Sequence, residues 1–284
     1  MKIANLFQPL ALIALTALTT LAYSILPSPA QAADEIDKIK ATGKVRIAVF
    51  SDKVPFGYVD ENGLNQGYDV YLARRIGQDL MGDEKKVEFI LVEAASRIEI
   101  LQAGKADIVL ANFTVTPERA KQIDFAKPYM KVALGVASPK GEPIIDVTQL
   151  KGKKLIINKG STADTYFTKN YPEVKLLKFD QNSEAFNALY DGRGVALAHD
   201  NTLLFAWTNK NTDFITGIKF MGGLDTIAPA VKKGQPKLLK WLNDEIIKLT
   251  AEGFFIKDYE TTLKPTYGDT VDPKSILLEI GELK

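Results

Sequence analysis

The fold of this chain is constrained most by a regular alternation of short apolar runs and amphipathic segments that begins near residue 45. The apolar runs have the length and composition of β-strands and occupy residues 45–50, 87–92 and 107–111. Between the first two, residues 69–80 place Leu72, Ile76 and Leu80 on one face of a predicted helix. Strands and helices in this order predict a parallel sheet with right-handed crossovers.

A second predicted helix separates the second and third of these strands. Ser96 is suited to cap its N-terminus, and Glu99, three residues later, would complete a capping box. Gly104 would end this helix, because glycine readily adopts the left-handed conformation that often follows a helix.

The same pattern repeats in the second half of the chain. Predicted strands at residues 154–157, 175–179 and 195–198 alternate with helices that begin at residues 160–162 and at residue 183. The last of these strands ends directly before His199 and Asp200.

Two extended apolar runs, residues 129–138 and 227–231, flank this second set, and a long amphipathic helix with Leu238, Leu242 and Ile246 follows. Two such runs predict an α/β protein of two lobes, joined by crossing strands that act as a hinge around a cleft. Lobe 1 is expected to contain residues 33–133 and 229–284, and lobe 2 residues 134–228.

The first 32 residues have the pattern of a secretory signal peptide. Lys2 precedes an apolar stretch that ends in prolines, and Ala30-Gln31-Ala32 matches a cleavage site. A retained membrane anchor is the alternative. Of the 36 basic residues only Lys2 lies in this leader, so cleavage would balance the remainder against 35 acidic residues. That balance predicts no nucleic-acid partner.

The chain contains no cysteine and a single histidine, His199. The first fact excludes a cysteine nucleophile, a cysteine-ligated metal and a lipid-attachment cysteine, and the second disfavours a multi-histidine metal site. We therefore expect no metal and no cofactor. Candidate general acids are limited to Asp52, Glu93 and Asp200, so an enzyme is not expected.

Ligands of open parallel sheets bind beyond the carboxyl ends of the strands, and Arg119 follows the third strand. Thr116 can cap a helix with Pro117 in its first position, which places Arg119 in the first turn. A cation there opposes the helix dipole and favours an anionic partner. A ligand carboxylate could bind both arms of the guanidinium, and a salt bridge to Asp124 is the alternative.

Three further candidates follow other strands, each with a plain structural alternative. Gly160, Ser161 and Thr162 offer an anion site at a helix start, or an ordinary capped helix. Asp200 could pair with an ammonium group, or cap the next helix. Arg97 could reach a ligand side chain, or be solvated.

Phe56 and His199 are the remaining residues of interest at these strand ends. A large apolar residue in a loop, Phe56 could cover the apolar side of a ligand or pack beneath the loop. His199 is expected to be structural.

Much of the chain resembles the periplasmic solute-binding proteins of amino-acid ABC transporters, the bacterial extracellular solute-binding proteins of family 3. The resembling motifs are Pro55-Phe56-Gly57-Tyr58, Gly67-Tyr68-Asp69-Val70 and Thr116-Pro117-Glu118-Arg119. The cysteine-binding members are most similar, through residues 110–114, 129–136 and 199–207. The resemblance implies the two-lobed type II periplasmic-binding-protein fold, with a mostly parallel sheet in each lobe.

The resemblance also implies a role for each matching residue. Arg119 and the backbone N–H groups of Thr114 and Thr162 would hold the ligand α-carboxylate. The Thr114 hydroxyl, the Asn112 carbonyl and Asp200 would surround the α-ammonium. Phe56 would line an apolar wall, and Arg97 lies where binders of acidic amino acids place a side-chain-reading arginine.

By resemblance, the protein is expected to be a periplasmic monomer that delivers a free amino acid, cysteine first, to a membrane permease. Glutamate or aspartate, cystine, and a cyclohexadienyl-dehydratase-like enzyme are the alternatives. One departure concerns Lys53 and Phe50, where binders of basic amino acids carry an aromatic residue and an acid. This departure argues against lysine or arginine as the ligand.

Overall fold

The computed structural model describes residues 34–283, so the predicted signal peptide, residues 1–32, lies outside the described residues. Within that range the α-helices are α1 (Glu35–Thr42), α2 (Tyr68–Met81), α3 (Arg97–Gln102), α4 (Pro117–Ala120), α5 (Thr162–Asn170), α6 (Asn182–Tyr190), α7 (Asn201–Lys210), α8 (Pro236–Ala251), α9 (Phe254–Asp258) and α10 (Lys264–Tyr267). A π-helical segment, Tyr259–Leu263, joins the last two.

The strands of the same range form two large sheets and one small one. They are β1 (Val45–Phe50), β2 (Asp52–Lys53), β3 (Gly57–Val59), β4 (Asn65–Gln66), β5 (Val87–Val92), β6 (Ile108–Val109), β7 (Ile123–Phe125), β8 (Met130–Pro139), β9 (Lys154–Asn158), β10 (Lys175–Phe179), β11 (Ala196–Asp200), β12 (Phe214–Ile227) and β13 (Ala230–Lys232).

The two large sheets share one topology. Sheet 1 has the order β5-β1-β6-β13-β7, and sheet 2 has the order β10-β9-β11-β8-β12. In each, the first three strands are parallel, as predicted, and the fourth is antiparallel to its neighbours. The predicted third strand, residues 107–111, is shorter in the structure because only Ile108–Val109 pair with β1.

The two extended apolar runs pair with each other where the chain passes between the sheets. Met130 of β8 lies opposite Ile227 of β12, followed by Lys131 opposite Thr226. The predicted extended run at residues 129–138 is therefore confirmed as β8. The run at residues 227–231 was only partly right, because Ile227 is the end of a 14-residue strand, β12, that the sequence pattern did not predict.

The predicted capping box at Ser96 is wrong. Ser96 has helical backbone angles, and its hydroxyl donates to the carbonyl of Glu93 at 3.1 Å, so it closes a turn before α3 and makes no cap. The predicted helix end is confirmed, because Gly104 has a φ of 65° and its N–H donates to the carbonyl of Leu101.

Sheet 1 is covered by helices whose apolar faces the sequence identified. Leu72, Ile76 and Leu80 of α2 are buried, as are Leu242 and Ile246 of α8. Burial of such side chains is the main source of stability of a fold of this kind. None of the helices within residues 34–283 combines the length and the apolar character needed to cross a membrane.

A buried carboxyl group links α2 and α8. Glu245 is 6% exposed, and its carboxylate lies 3.4 Å from the Nζ of Lys248, which also binds Asp79 at 2.9 Å. Burial and the nearby Asp79 carboxylate raise the pKa of Glu245 above its ordinary value of 4.5. Because the folded protein holds this proton more tightly than the unfolded chain, the associated stability is lost as pH rises through the raised pKa.

We therefore predict that Glu245→Gln gains stability relative to the wild type as pH rises from 5 to 8, by about 1 kcal/mol. Urea unfolding across this pH range measures the difference. Glu252→Gln is the control, because Glu252 pairs with Arg75 and its side chain is 42% exposed. Parallel stability curves for Glu245→Gln and the wild type would contradict the prediction.

Candidate functional site

A small cavity lies where strand ends of sheet 1 and sheet 2 face each other. The segments after β1, β5, β6 and β9 contribute to it, together with the end of β11, in line with the rule for open parallel sheets. Its lining is formed by Phe50, Lys53, Ala94, Arg97, Asn112, Thr114, Arg119, Ser161, Thr162, His199 and Asp200. Most of the predicted site residues are therefore brought together.

Arg119 is buried with its guanidinium between two carbonyl groups. Thr116 caps α4 by accepting the Arg119 N–H at 3.2 Å, as predicted. Nη1 then donates to the carbonyl of Thr114 at 2.7 Å, and Nη2 to that of Gly160 at 2.9 Å. The salt-bridge alternative is wrong, because Asp124 pairs with Lys233 at 2.8 Å.

This environment leaves the Arg119 charge without a carboxylate within 4 Å anywhere in residues 34–283. Burial lowers the pKa of Arg119 to about 10, so the group remains charged at neutral pH. A buried cation that has only neutral partners is costly, and an anionic ligand would relieve that cost.

Arg97 and Arg119 both lie against the aromatic ring of Phe113. The guanidinium carbon of Arg97 is 4.2 Å from the centre of the Phe113 ring, and that of Arg119 is 4.8 Å from it. Arg97 donates through Nε to the carbonyl of Ala94 and through Nη1 to that of Ala111. It is 3% exposed, so the solvated alternative is wrong.

Lys53 and Asp200 form a buried ion pair across the cavity. The Nζ of Lys53 lies 2.8 Å from Oδ2 of Asp200 and 2.6 Å from Oδ1 of Asn112. The Asp200 carboxylate makes no capping hydrogen bond to α7, so the helix-cap alternative is wrong. Burial alone would raise the pKa of Asp200, but the Lys53 ammonium holds it well below its ordinary range.

The charges that line the cavity are predominantly positive. Arg97, Arg119 and Lys53 face a single ionised carboxylate, that of Asp200. In a buried site these charges act through a low dielectric and are screened little by salt. The cavity is therefore suited to a group that is anionic overall, or to a zwitterion whose carboxylate lies near the arginines and whose ammonium lies near Asp200.

The segment before α5 forms the predicted helix cap, and the anion site remains a prediction. Ser161 caps the helix, since its hydroxyl accepts the N–H of Asp164 at 3.1 Å. The N–H of Thr162 has no partner within residues 34–283, as expected for the first residue of a helix. Gly160 has a φ of 70°, and a Cβ there would lie 2.6 Å from the Cα of Ala95, so only glycine allows this close approach.

Asn112 is held in an unusual conformation by a buried carboxylate. Its φ is 43°, a left-handed value that asparagine tolerates better than most residues. The Asn112 N–H donates to Oδ2 of Asp69 at 2.7 Å, and the Tyr129 hydroxyl donates to Oδ1 at 2.6 Å. Asp69 thus positions the chain that carries Asn112, Phe113 and Thr114, a role that the sequence did not indicate.

Of the two remaining candidates, His199 lines the cavity and Phe56 does not. Phe56 is fully buried in the core behind Lys53 and is not among the residues that line the cavity, so packing beneath the loop is what the structure shows. Phe50 provides the aromatic wall instead. His199 does line the cavity, but both its ring nitrogens are engaged, Nε2 with Asn182 and Nδ1 with the Asp200 N–H.

A second polar contact crosses between the sheets at the edge of the cavity. The Asp52 carboxylate accepts from the side-chain amide of Asn182 at 2.9 Å, and from the N–H and hydroxyl of Ser183 at 3.0 and 3.2 Å. These residues begin α6, whose own N-cap residue, Gln181, makes no side-chain cap. Asp52 therefore caps α6 from the opposite side.

The space left between these side chains is small. Its volume is about 10 Å³, roughly the amount that one water molecule needs. An amino acid can therefore enter only if the surrounding segments move apart.

Comparison with known proteins places the chain in a family. Residues 45–262 match the model of the bacterial extracellular solute-binding proteins, family 3, and the chain belongs to that family. The ABC transporter glutamine-binding protein of Bacillus subtilis is 35% identical over 234 residues, which cover 81% of this chain and 85% of that protein.

Two solved structures are more similar. A solute receptor for L-cysteine from Neisseria gonorrhoeae is 57% identical, with a TM-score of 0.85, and the match covers 86% of this chain and 99% of that one. The cysteine-binding protein of Campylobacter jejuni is 59% identical, also with a TM-score of 0.85, over 87% of this chain and 99% of that one. The predicted two-lobed fold is thereby confirmed.

We predict that Asp69→Ala lowers the free energy of unfolding by about 2–4 kcal/mol, because it leaves the buried N–H of Asn112 and the hydroxyl of Tyr129 unpaired. Urea denaturation followed by circular dichroism measures this loss. Asp60→Ala is the control, since Asp60 accepts two backbone N–H groups in an exposed turn. Equal losses of unfolding free energy in the two variants would show that the burial of Asp69 does not increase its contribution to stability.

Proposed function

We propose that this protein captures a free amino acid, cysteine above all, in the cavity and delivers it to the permease of an ABC transporter. The observation that carries the proposal is the buried Arg119 guanidinium, which has no anionic partner within residues 34–283, in the same cavity as the Asp200 carboxylate. An amino acid is a zwitterion with one group for each. Family membership and the two similar cysteine receptors support the same conclusion.

In this proposal the ligand α-carboxylate binds Arg119 in the bidentate manner that guanidinium groups favour. The free N–H of Thr162 and the backbone N–H of Thr114 add hydrogen bonds. The α-ammonium binds the Asp200 carboxylate, the Thr114 hydroxyl and the Asn112 carbonyl. A carbonyl oxygen has two lone pairs, so Asn112 can accept from the ligand as well as from Arg97.

Cysteine is favoured over larger ligands because a small amino acid needs the least enlargement of the cavity, and because the donors of Arg97 are engaged. Arg97, which could read the side chain of glutamate or aspartate, already donates to the carbonyls of Ala94, Ala111 and Asn112. Cystine, with twice the bulk of cysteine, would need a much larger opening. The names of the two similar receptors point to cysteine as well.

We further propose that residues 33–133 with 229–284 form one lobe, that residues 134–228 form the other, and that the paired parts of β8 and β12 are the hinge. The contacts that would then join the lobes when they close include those of Asp52 with Ser183, Lys53 with Asp200, and Arg119 with Gly160. A ligand that bridges the lobes adds to these contacts and shifts the population toward the closed form.

The proposed function is binding without catalysis. Asp200 is held ionised by Lys53, and burial lowers the pKa of His199, which keeps that ring neutral. Asp52 is engaged in capping α6, and Glu93 is not among the residues that line the cavity. None of these groups is therefore placed to donate a proton to a bound acid, as a dehydratase of this fold would require.

The proposed cellular location and partner follow from the predicted signal peptide and from the family. Export through the signal peptide would place a monomer in the periplasm, where the permease in the inner membrane is its partner. Nothing in the charge balance of the chain calls for nucleic acid.

We predict that cysteine raises the melting midpoint of the wild-type protein by about 5–10 °C at 100 times its dissociation constant. Arg119→Ala should abolish this shift while it leaves the fold intact. Thermal-shift screening against the twenty amino acids and cystine, with and without reductant, measures both effects. Arg193→Ala is the control, because Arg193 also stacks on a phenylalanine, Phe179, but outside the cavity. Wild-type affinity in Arg119→Ala would end this proposal.

We also predict that Asp52→Ala speeds dissociation of the ligand by about five- to tenfold without changing the order of preference among amino acids, because it removes a contact of the closed form only. Stopped-flow competition measures the dissociation rate. Asp180→Ala is the control, since Asp180 makes one exposed pair with Lys159 in the same lobe. An unchanged rate in Asp52→Ala would contradict a role in closure.

A further inference from the structure

Lys53 is the one lysine whose ammonium lines the cavity in the described part of the chain. Its side chain is 2% exposed, and the rings of Phe50 and Phe56 lie 5.1 and 5.8 Å from Nζ. Lysine is almost never buried so completely unless its ammonium is paired, and here the partner is the Asp200 carboxylate at 2.8 Å.

The ammonium of Lys53 has one donor to spare. Of its three N–H bonds, one is directed to Oδ1 of Asn112 and one to Oδ2 of Asp200, and no third acceptor lies within hydrogen-bond distance among residues 34–283. A buried donor without a partner is costly. A ligand atom that accepts a hydrogen bond would remove that cost.

The position of Lys53 indicates which ligand atom could accept its third N–H. If Asp200 binds the α-ammonium, Lys53 lies beside the ammonium site, because both groups share the same carboxylate. The γ atom of an amino acid is separated from its α-nitrogen by only two carbons, so it can approach within about one hydrogen-bond length of it. A short side chain therefore presents its γ atom to Lys53.

We propose that Lys53 determines the side-chain specificity of the site: it donates its third N–H to a sulfur or oxygen at the γ position of the ligand, and its charge excludes ligands with a cationic group there. The first effect favours ligands with sulfur or oxygen at the γ position, cysteine and serine, over those with carbon there, and the second penalises basic side chains by repulsion in a buried site. This proposal rests on the proposed amino-acid binding and adds the chemistry of the side chain.

A purely structural role for Lys53 makes a different prediction. If the ion pair with Asp200 only joins the two sheets, its loss should lower the affinity for every ligand by the same factor. If Lys53 reads the side chain, its loss should change the ratios between ligands that differ only in the γ atom. Ratios are also insensitive to the fraction of a variant that fails to fold.

Four ligands of nearly equal size provide this comparison: cysteine, serine, 2-aminobutyrate and 2,3-diaminopropionate, whose γ atoms are sulfur, oxygen, a methyl carbon and an ammonium nitrogen. Isothermal titration under reducing conditions gives each dissociation constant for the wild type and for Lys53→Met, which keeps the length of the side chain without donors or charge. Circular dichroism and the melting midpoint show whether the variant folds.

For the wild type we expect cysteine to bind at least about tenfold more tightly than 2-aminobutyrate, and 2,3-diaminopropionate to bind most weakly. In Lys53→Met the preference for cysteine over 2-aminobutyrate should fall to within about twofold, and 2,3-diaminopropionate should gain at least about tenfold relative to 2-aminobutyrate. If Lys53→Met does not fold, Lys53→Gln serves instead. It keeps neutral donors, so it should admit 2,3-diaminopropionate while part of the cysteine preference remains.

Unchanged ratios in the variant that folds would overturn the role of Lys53, and so would a wild type that does not discriminate between cysteine and 2-aminobutyrate. A wild type that binds none of the four ligands would instead overturn the proposed function. The two failures are therefore distinguishable.

Discussion

The interaction on which the site depends is the burial of the Arg119 guanidinium between two carbonyl groups from distant parts of the chain. Thr114 follows a strand of sheet 1, and Gly160 follows a strand of sheet 2. A buried guanidinium without an anion needs neutral hydrogen-bond acceptors. Here one carbonyl acceptor comes from the segment after a strand of each sheet. The facing strand ends meet that need without a permanent carboxylate partner.

The rest of the architecture serves to hold these strand ends opposite each other. The two sheets have the same arrangement of parallel and antiparallel strands, and the pairing of β8 with β12 lies where the chain passes between them. Asp69 holds the segment after β6 in its left-handed turn, and Gly160 allows the segment after β9 to approach Ala95. Each of these features fixes the position of one segment against another.

How far the sequence predicts this structure depends on the range of the interactions involved. Strand and helix positions, the cap at Thr116 and the burial of Leu72 and Ile76 follow from patterns within a few residues, and they were predicted. The capping box at Ser96 failed because a local turn, the hydrogen bond to Glu93, competes with the same side chain.

The features that the sequence missed are contacts between distant segments. The pairing of Lys53 with Asp200 joins residues 147 positions apart, and that of Asp52 with Ser183 joins residues 131 apart. Lys53 lies on the two-residue strand β2, in a segment that the sequence pattern predicts to be a loop. Nothing in that pattern indicates that its side chain is buried. The family resemblance predicted most of the residues that line the cavity. It wrongly predicted Phe56 as the aromatic wall, a position that Phe50 occupies in the structure.

The central claim, that Arg119 holds the carboxylate of a free amino acid, is tested most directly by calorimetric titration of the wild-type protein with L-cysteine and with cysteamine. Cysteamine keeps the thiol and the ammonium but has no carboxylate. The account predicts heat and saturable binding with cysteine, and a loss of at least about a hundredfold in affinity with cysteamine. Equal affinity for the two ligands would contradict it.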